Sequence, residues 1–393
     1  MTIDPRILAL KSEVSSWRRD FHAHPEILYE VHRTAKIVAD KLRAFGCDEV
    51  VEGIGQTGVV GVIHGRNGAG GRVVGLRADM DALPIEEETN LPHRSTVSGK
   101  MHACGHDGHT SMLLGAAKHL AATREFDGSV VVIFQPAEEG GAGGKAMVED
   151  GLMTRWKIEE VYGMHNMPGM KPGQIALRPG PIMAAADRFI IDIEGRGAHA
   201  AAPHLGVDPV LVGAHIVTAL QSIASRNADP LKSVVVSATM FHAGSAFNII
   251  PQRAQLTGTV RTLEPAMRDL AESRLRDIVA GVCRTFGAEA TVDYERGYPA
   301  TINHPDETRY AADVARKALG DDLVDEGVAP MMGGEDFSFM LIERPGAYVF
   351  IGNGNSAGLH HPAYDFNDDV LPYGMHFWTE LAKARTAAAH TAA

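Results

Sequence analysis

Three apolar runs in this chain each end directly in a cluster of acidic or metal-capable side chains. That recurrence limits the fold more than any other feature. Residues 72–78 lead into Asp79-Met80-Asp81, residues 129–134 into Gln135-Pro136-Ala137-Glu138-Glu139-Gly140, and residues 160–164 into His165-Asn166. All three runs read as strands, and 129–134 as a buried one. Between them, 107–122 carries a Met112/Leu113/Ala116/Leu120 helical face and 144–149 a shorter helical stretch. Strand, polar cluster, helix, repeated, predicts an open α/β sheet. Ligands of such sheets bind beyond the carboxyl ends of the strands. Asp79/Asp81, Glu138/Glu139 and His165 should therefore converge.

The flanking chain supports one domain around that sheet and a second inserted into it. A chain of 393 residues exceeds one ordinary core. Ile7, Leu10, Val14, Trp17 and Phe21 fall at helical spacing behind Asp4 as N-cap and Pro5 at the first helical position. Thr34 to Phe45 traces a second helix closed by Gly46. A run at 57–63 precedes 72–78, with the turn 65–71 between them. From about 185 the texture changes: 188–194, 233–241 and 255–262 alternate apolar and polar residues, and 207–226 and 264–286 read as long amphipathic helices. That is an antiparallel α+β arrangement. The first domain resumes near Tyr298 with a helix at 306–319, a strand at 347–351, the cluster Gly358-Leu359-His360-His361-Pro362 and a last helix at 370–388.

Met101-His102-Ala103-Cys104-Gly105-His106-Asp107-Gly108-His109-Thr110 concentrates a thiol, three imidazoles and a carboxylate on a turn before a helix. Thiolate and neutral imidazole bind zinc and similar divalent ions, so Cys104 and His106 are candidate ligands. Asp107 would cap the helix or orient a ligand histidine. One stretch cannot complete a site, and the strand-end clusters supply the remainder. Of adjacent Glu138 and Glu139, one can bind metal while the other faces water, accepts its proton and passes it on. His165 is a further candidate, and spacing does not choose between His360 and His361. One of Asp79 and Asp81 should face a ligand imidazole. His199, in the Gly-rich turn from Gly195 to His204, could donate to an oxyanion or a substrate carboxylate.

A net charge of −12 leaves no basic stripe for nucleic acid or an anionic membrane. Three scattered cysteines, Cys47, Cys104 and Cys283, make no disulfide framework and suit a reducing compartment. With no apolar stretch of about 20 residues and no signal-like N-terminus, the expected location is the cytoplasm.

Taken in this order, the clusters resemble the M20 family of metallopeptidases and amidohydrolases. The nearest branch is that of N-acyl-amino-acid amidohydrolases, which includes hippurate hydrolases and plant auxin-conjugate hydrolases. The resemblance runs from Arg18-Arg19-Asp20-Phe21-His22-Ala23-His24-Pro25-Glu26 to Tyr364-Asp365-Phe366. It is carried by Met101-His102-Ala103-Cys104-Gly105-His106-Asp107, by Gln135-Pro136-Ala137-Glu138-Glu139 and by Gly333-Gly334-Glu335-Asp336-Phe337. It implies a mixed-sheet α/β metallohydrolase domain (1–184 plus 298–393) with an inserted α+β lid and dimerisation domain (185–297).

The resemblance also implies two divalent metal ions, zinc or manganese, with cobalt or nickel compatible. Their ligands would be Cys104 as the bridging thiolate, His106, Glu139, His165 and His360. The family pattern of a His, one residue, then Pro favours His360 over His361. Glu138 would be the general base and acid, and Asp81 would orient a ligand. Asp79 stands where other branches carry a ligand histidine, a duty that His106 takes over here. His199 would stabilise the tetrahedral intermediate, in its own or a partner chain's site, and Asn248 would contact substrate. The implied reaction is hydrolysis of an N-acyl amino acid to a carboxylic acid and a free amino acid. A dipeptidase or an N-acetyl-diaminopimelate deacetylase would use the same metals with a different pocket. A metal-storage protein would need no Glu138 beside Glu139. The implied assembly is a homodimer, or a tetramer built from dimers, through the inserted domain.

Overall fold

The computed structural model describes residues 3–66 and 70–387; the tip of the expected 65–71 turn and residue 388 of the expected last helix lie outside them. The chain forms two compact units. One comprises Met1–Gly180, Ile302–Ala329 and Asp336–Ala393, the other Pro181–Thr301 with Pro330–Glu335.

The first unit is built on an eight-stranded sheet. Its order is Glu49–Ile54, Gly58–His64, Ser129–Gln135, Val73–Asp79, Glu160–Pro168, Gly346–Gly354, Ile175–Ala176, Val324–Asp325. The four central strands are parallel, with Asp79 opposite Gln135, Arg77 opposite Gly163 and Phe350 opposite His165. Their carboxyl ends therefore share one edge, which brings the three polar clusters together as the sequence pattern requires. Ser129–Gln135 and Gly346–Gly354 are buried along their whole length, the mark of strands covered on both faces. Pro5–Ala23 starts at Asp4, whose carboxylate accepts the Arg6 N–H, and buries Ile7, Val14, Trp17 and Phe21. His32–Phe45 ends at Gly46 with φ +81°. The helices His106–Thr123 and Leu371–Thr386 add Leu113, Leu120, Phe377 and Trp378 to the same core.

The second unit is a four-stranded antiparallel sheet in the order Val234–Ala243, Arg253–Thr262, Ala185–Glu194, Glu289–Tyr298. Alternate residues of Ala185–Glu194 are buried. Phe189, Ile191 and Ile193 pack with Val212, Ile216 and Leu220 of Pro209–Ser222 and with Leu275 and Val279 of Pro265–Phe286. The longest strands that escape the sequence pattern are Glu49–Ile54 and Glu289–Tyr298. Both are edge strands with charged residues interleaved, so neither presents a continuous apolar run. No described helix is long and apolar enough to cross a membrane.

Candidate metal centre

The motif around Cys104 turns into a helix within two residues. Gly105 caps that helix with φ +85°, and a Cβ there would lie 2.2 Å from Asn166 Nδ2 and 2.4 Å from Tyr364 Oη, so only glycine fits. Cys104 and His106 thus flank the N-terminus of His106–Thr123, where the helix dipole favours a thiolate. Asp107 departs from expectation. Because Gly105 starts the helix, Asp107 falls inside the first turn, and its carboxylate meets His22 Nδ1 at 2.9 Å and Arg18 at 3.5 Å rather than a candidate ligand.

Five candidate ligands come together in the first unit. Cys104 Sγ lies 3.3 Å from His165 Nε2. Ligand-capable atoms of Cys104, His106 and His165 lie within 4.8 Å of one another, and so do those of Cys104, Glu139 and His360. The result is two triads sharing one sulfur. His360 Nε2 approaches Glu139 Oε1 to 3.3 Å, and His106 Nε2 is 3.9 Å from the same oxygen. His361 turns elsewhere, its Nδ1 accepting the Ala363 N–H at 3.0 Å. His360 holds a left-handed backbone at φ +63°, a conformation costing about 1–3 kcal/mol and concentrated at functional positions. Its N–H is tied to the Ala103 carbonyl at 2.8 Å.

Protonation prepares the set. Burial, with His109 nearby, pushes His165 down to about 3, so its ring is neutral. His165 Nδ1 donates to the Asn166 carbonyl at 2.7 Å, which leaves the Nε2 lone pair facing the sulfur. Burial pushes the Cys104 thiol well above its usual value, and the Glu139, Glu138 and Asp79 carboxylates add to that. For His106, burial acts downward, but Asp79, Asp81 and Glu139 outweigh it and raise the ring to about 10. In the protein alone, the His106 ring and the Arg77 guanidinium both face these carboxylates.

Among the described residues, both His106 ring nitrogens and Glu139 Oε1 are nevertheless buried without a well-formed hydrogen bond. A divalent cation would satisfy Glu139 Oε1 and one His106 nitrogen, offset the carboxylate charge and let Cys104 ionise. The residues fit the group.

Behind the ligands lies a buried network. Asp81 accepts the backbone N–H groups of Glu138 (3.0 Å) and Glu139 (3.1 Å), and its Oδ1 is 3.5 Å from His106 Nδ1. It therefore anchors the whole Glu138–Glu139 turn. Asp79 accepts from His109 Nδ1 at 2.7 Å and from Arg77 at 2.8 Å, with its second oxygen 3.7 Å from His106 Nε2. Arg77 also reaches Gln135 and Asp336. Arg77 lies outside every motif named above. Its signal was there: a charged side chain in the middle of a buried strand needs partners.

His199 and Asn248 belong to the second unit. They meet on the two-stranded ladder that pairs His199 with Ile249 and ties the Ala200 N–H to the Asn248 carbonyl. His199 Nδ1 accepts the Ala201 N–H at 3.0 Å, and the side chain is exposed.

The pattern defining Peptidase family M20/M25/M40 matches residues 75–384. A hippurate hydrolase of Campylobacter jejuni is 42% identical over 382 residues, spanning 97% of this chain and 99% of its own. Thermostable carboxypeptidase 1 of Saccharolobus solfataricus is 41% identical over 376 residues, spanning 92% and 93%. Among solved structures, a Bacillus subtilis dinuclear metal-binding peptidase of the M20 family superposes with a TM-score of 0.84 at 35% identity. That match covers 95% of this chain and 98% of the other.

Proposed function

Starting from the fact that this chain belongs to peptidase family M20/M25/M40 and is a hydrolase of that family, we propose that it cleaves the amide bond of N-acyl amino acids at a two-metal centre. The observation that carries the proposal is the pair of ligand triads sharing Cys104, with Glu138 beside His106 and Glu139 in a third group of ligand-capable atoms. The metal ligands we assign are Cys104, His106, Glu139, His165 and His360, with zinc or manganese as the expected ions. Cations held there would polarise the amide carbonyl and acidify water.

Glu138, 6% exposed, is the base that takes the proton from water and returns it to the departing amine. Asp81 keeps Glu138 and Glu139 in one rigid turn, so that base and ligand keep their separation. His199 and Asn248 are assigned to the oxyanion and to substrate. Similarity to a hippurate hydrolase supports an acylated amino acid as the substrate, and similarity to a carboxypeptidase keeps peptides as the alternative.

The test is to strip the protein with chelator, reload it with zinc or manganese, and measure amine release. The panel is benzoylglycine, N-acetyl amino acids, an indoleacetyl amino acid, N-acetyl-diaminopimelate and a dipeptide. Metal-dependent release from N-acyl substrates supports the reading, and release from the dipeptide alone moves the protein to a peptidase. Glu138→Gln should lower turnover about 10²–10⁴-fold while both metals still bind. Near-full activity in that variant would sink the assignment of the base.

The free cysteines Cys47, Cys104 and Cys283 suit a reducing compartment, and we place the enzyme in the cytoplasm. We assign a dimer to the second unit. Its strand Val234–Ala243 ends the sheet with an open edge and exposes Val235, Met240 and Phe241, beside exposed Val210 and Leu211. A long apolar edge of this kind invites pairing with a second copy. Met240→Glu/Phe241→Glu should yield monomers in sedimentation; an unchanged dimer would move the interface elsewhere.

A further inference from the structure

We propose that Asn166 and Tyr364 are positioning residues that set the separation of Cys104 and His165, and with it the affinity of the metal those two ligands share. The proposal rests on the metal assignment above and concerns how the fold holds that site.

Asn166 touches both ligands at once. Its Nδ2 donates to the Cys104 carbonyl at 2.6 Å, and its own carbonyl accepts His165 Nδ1–H at 2.7 Å. The side-chain amide could turn over, which would aim Oδ1 at the Cys104 carbonyl and abolish the tie. Tyr364 and His109 prevent that. The Tyr364 hydroxyl donates to Asn166 Oδ1 at 2.6 Å and Nδ2 also meets His109 Nε2 at 3.0 Å, which together leave Nδ2 facing Cys104. Both side chains are fully buried, so water offers no substitute partner.

The far side is pinned as well. The Asn166 backbone N–H donates to His109 Nε2 at 2.8 Å, and His109 Nδ1 donates to Asp79, which Arg77 holds. This use of both His109 nitrogens also removes His109 as a ligand, although it lies near Asp79 and His106 in a separate ligand-capable group. Gly105 closes the arrangement, since any Cβ there would strike Asn166 and Tyr364. The loop bearing the thiol is thus pressed against a fixed amide, and the strand bearing His165 carries that amide. Side chains that orient ligands in this way typically contribute 10–100-fold in metal affinity.

The test uses the full-length protein with Tyr364→Phe, which removes one hydroxyl, and Asn166→Asp, which keeps the shape but replaces the donor. Each is stripped and titrated with zinc and with cobalt, and the metal-free melting temperature is recorded. The expected result is two ions per chain in the wild type. In each variant one of the two should bind roughly 10–100-fold more weakly, with a diminished thiolate-to-cobalt absorption band. A purely structural role would instead lower the metal-free melting temperature and leave both affinities and the band unchanged, which overturns the proposal. Tyr364→Phe carries the test alone should Asn166→Asp fail to fold. A wild type that binds no metal would overturn the metal assignment itself, an outcome distinct from variants that bind as tightly as the wild type.

Discussion

Replacing Arg77 with methionine probes the network beneath the site, and its cost follows from the contacts. Arg77 is fully buried and donates to Asp79 Oδ2 at 2.8 Å, Asp336 Oδ1 at 3.0 Å and Gln135 Oε1 at 2.9 Å. Methionine fills similar volume but leaves two buried carboxylates without their shared cation. Breaking a buried pair from one side costs about 3–5 kcal/mol. Neither carboxylate is stripped bare, however. Asp79 keeps His109, and Asp336 keeps two contacts from Gln135 Nε2 and the Gly144 N–H at 2.7 Å. The lower end, about 3 kcal/mol, is therefore expected. For a unit of this size that is roughly a 5 °C fall in melting temperature, at about 2 cal/mol/K of unfolding entropy per residue. The assay is a melt of the metal-free protein, so that metal affinity does not enter. Adding Asp336→Asn to Arg77→Met should recover at least about 1 kcal/mol by removing an uncompensated charge. A loss below about 1 kcal/mol in the single variant, or no recovery in the double, would refute the argument from buried charge.

Two further outcomes follow from the same geometry. His22 is buried, which alone would push its ring down, yet hydrogen bonds to Asp107 and Glu87 raise it from 6.5 to about 9. A folded pKa above the unfolded one stabilises fully below pH 6.5 and is lost as pH climbs to about 9. The swing is about 3 kcal/mol at roughly 1.4 kcal/mol per unit. Denaturation midpoints of wild type and His22→Gln should therefore converge between those pH values; a constant gap would exclude a charged His22. His360→Ala should release one of two bound ions at micromolar metal and abolish activity, whereas His361→Ala should keep both ions. Metal analysis after dialysis decides between them, and loss of an ion from His361→Ala would reverse the choice.

Much of the architecture was legible because buried parallel strands have a sequence signature. Ser129–Gln135 and Val73–Asp79 read as apolar runs ending in polar residues, and parallel pairing then aligns those ends. The edge strands Glu49–Ile54 and Glu289–Tyr298 were not legible, since an edge strand buries at most one face and its charges break the pattern. The site divides in the same way. Cys104, His106, Glu138, Glu139 and His165 could be picked out as residue types whose chemistry suits a metal and a proton transfer.

What the sequence alone determined, then, was the inventory: which reactive side chains sit at strand ends, in what order, on what kind of sheet. Tertiary structure decided which atoms meet. Of adjacent His360 and His361, one ring reaches Glu139 while the other takes the Ala363 N–H. Asp107 serves His22 and Arg18 because Gly105 begins the helix before it. Asn166 ties Cys104 to His165 because His109 and Tyr364, the latter almost two hundred residues later, fix its amide. Residue type and spacing carry local chemistry, but hydrogen-bond direction depends on long-range packing, and no local pattern encodes it.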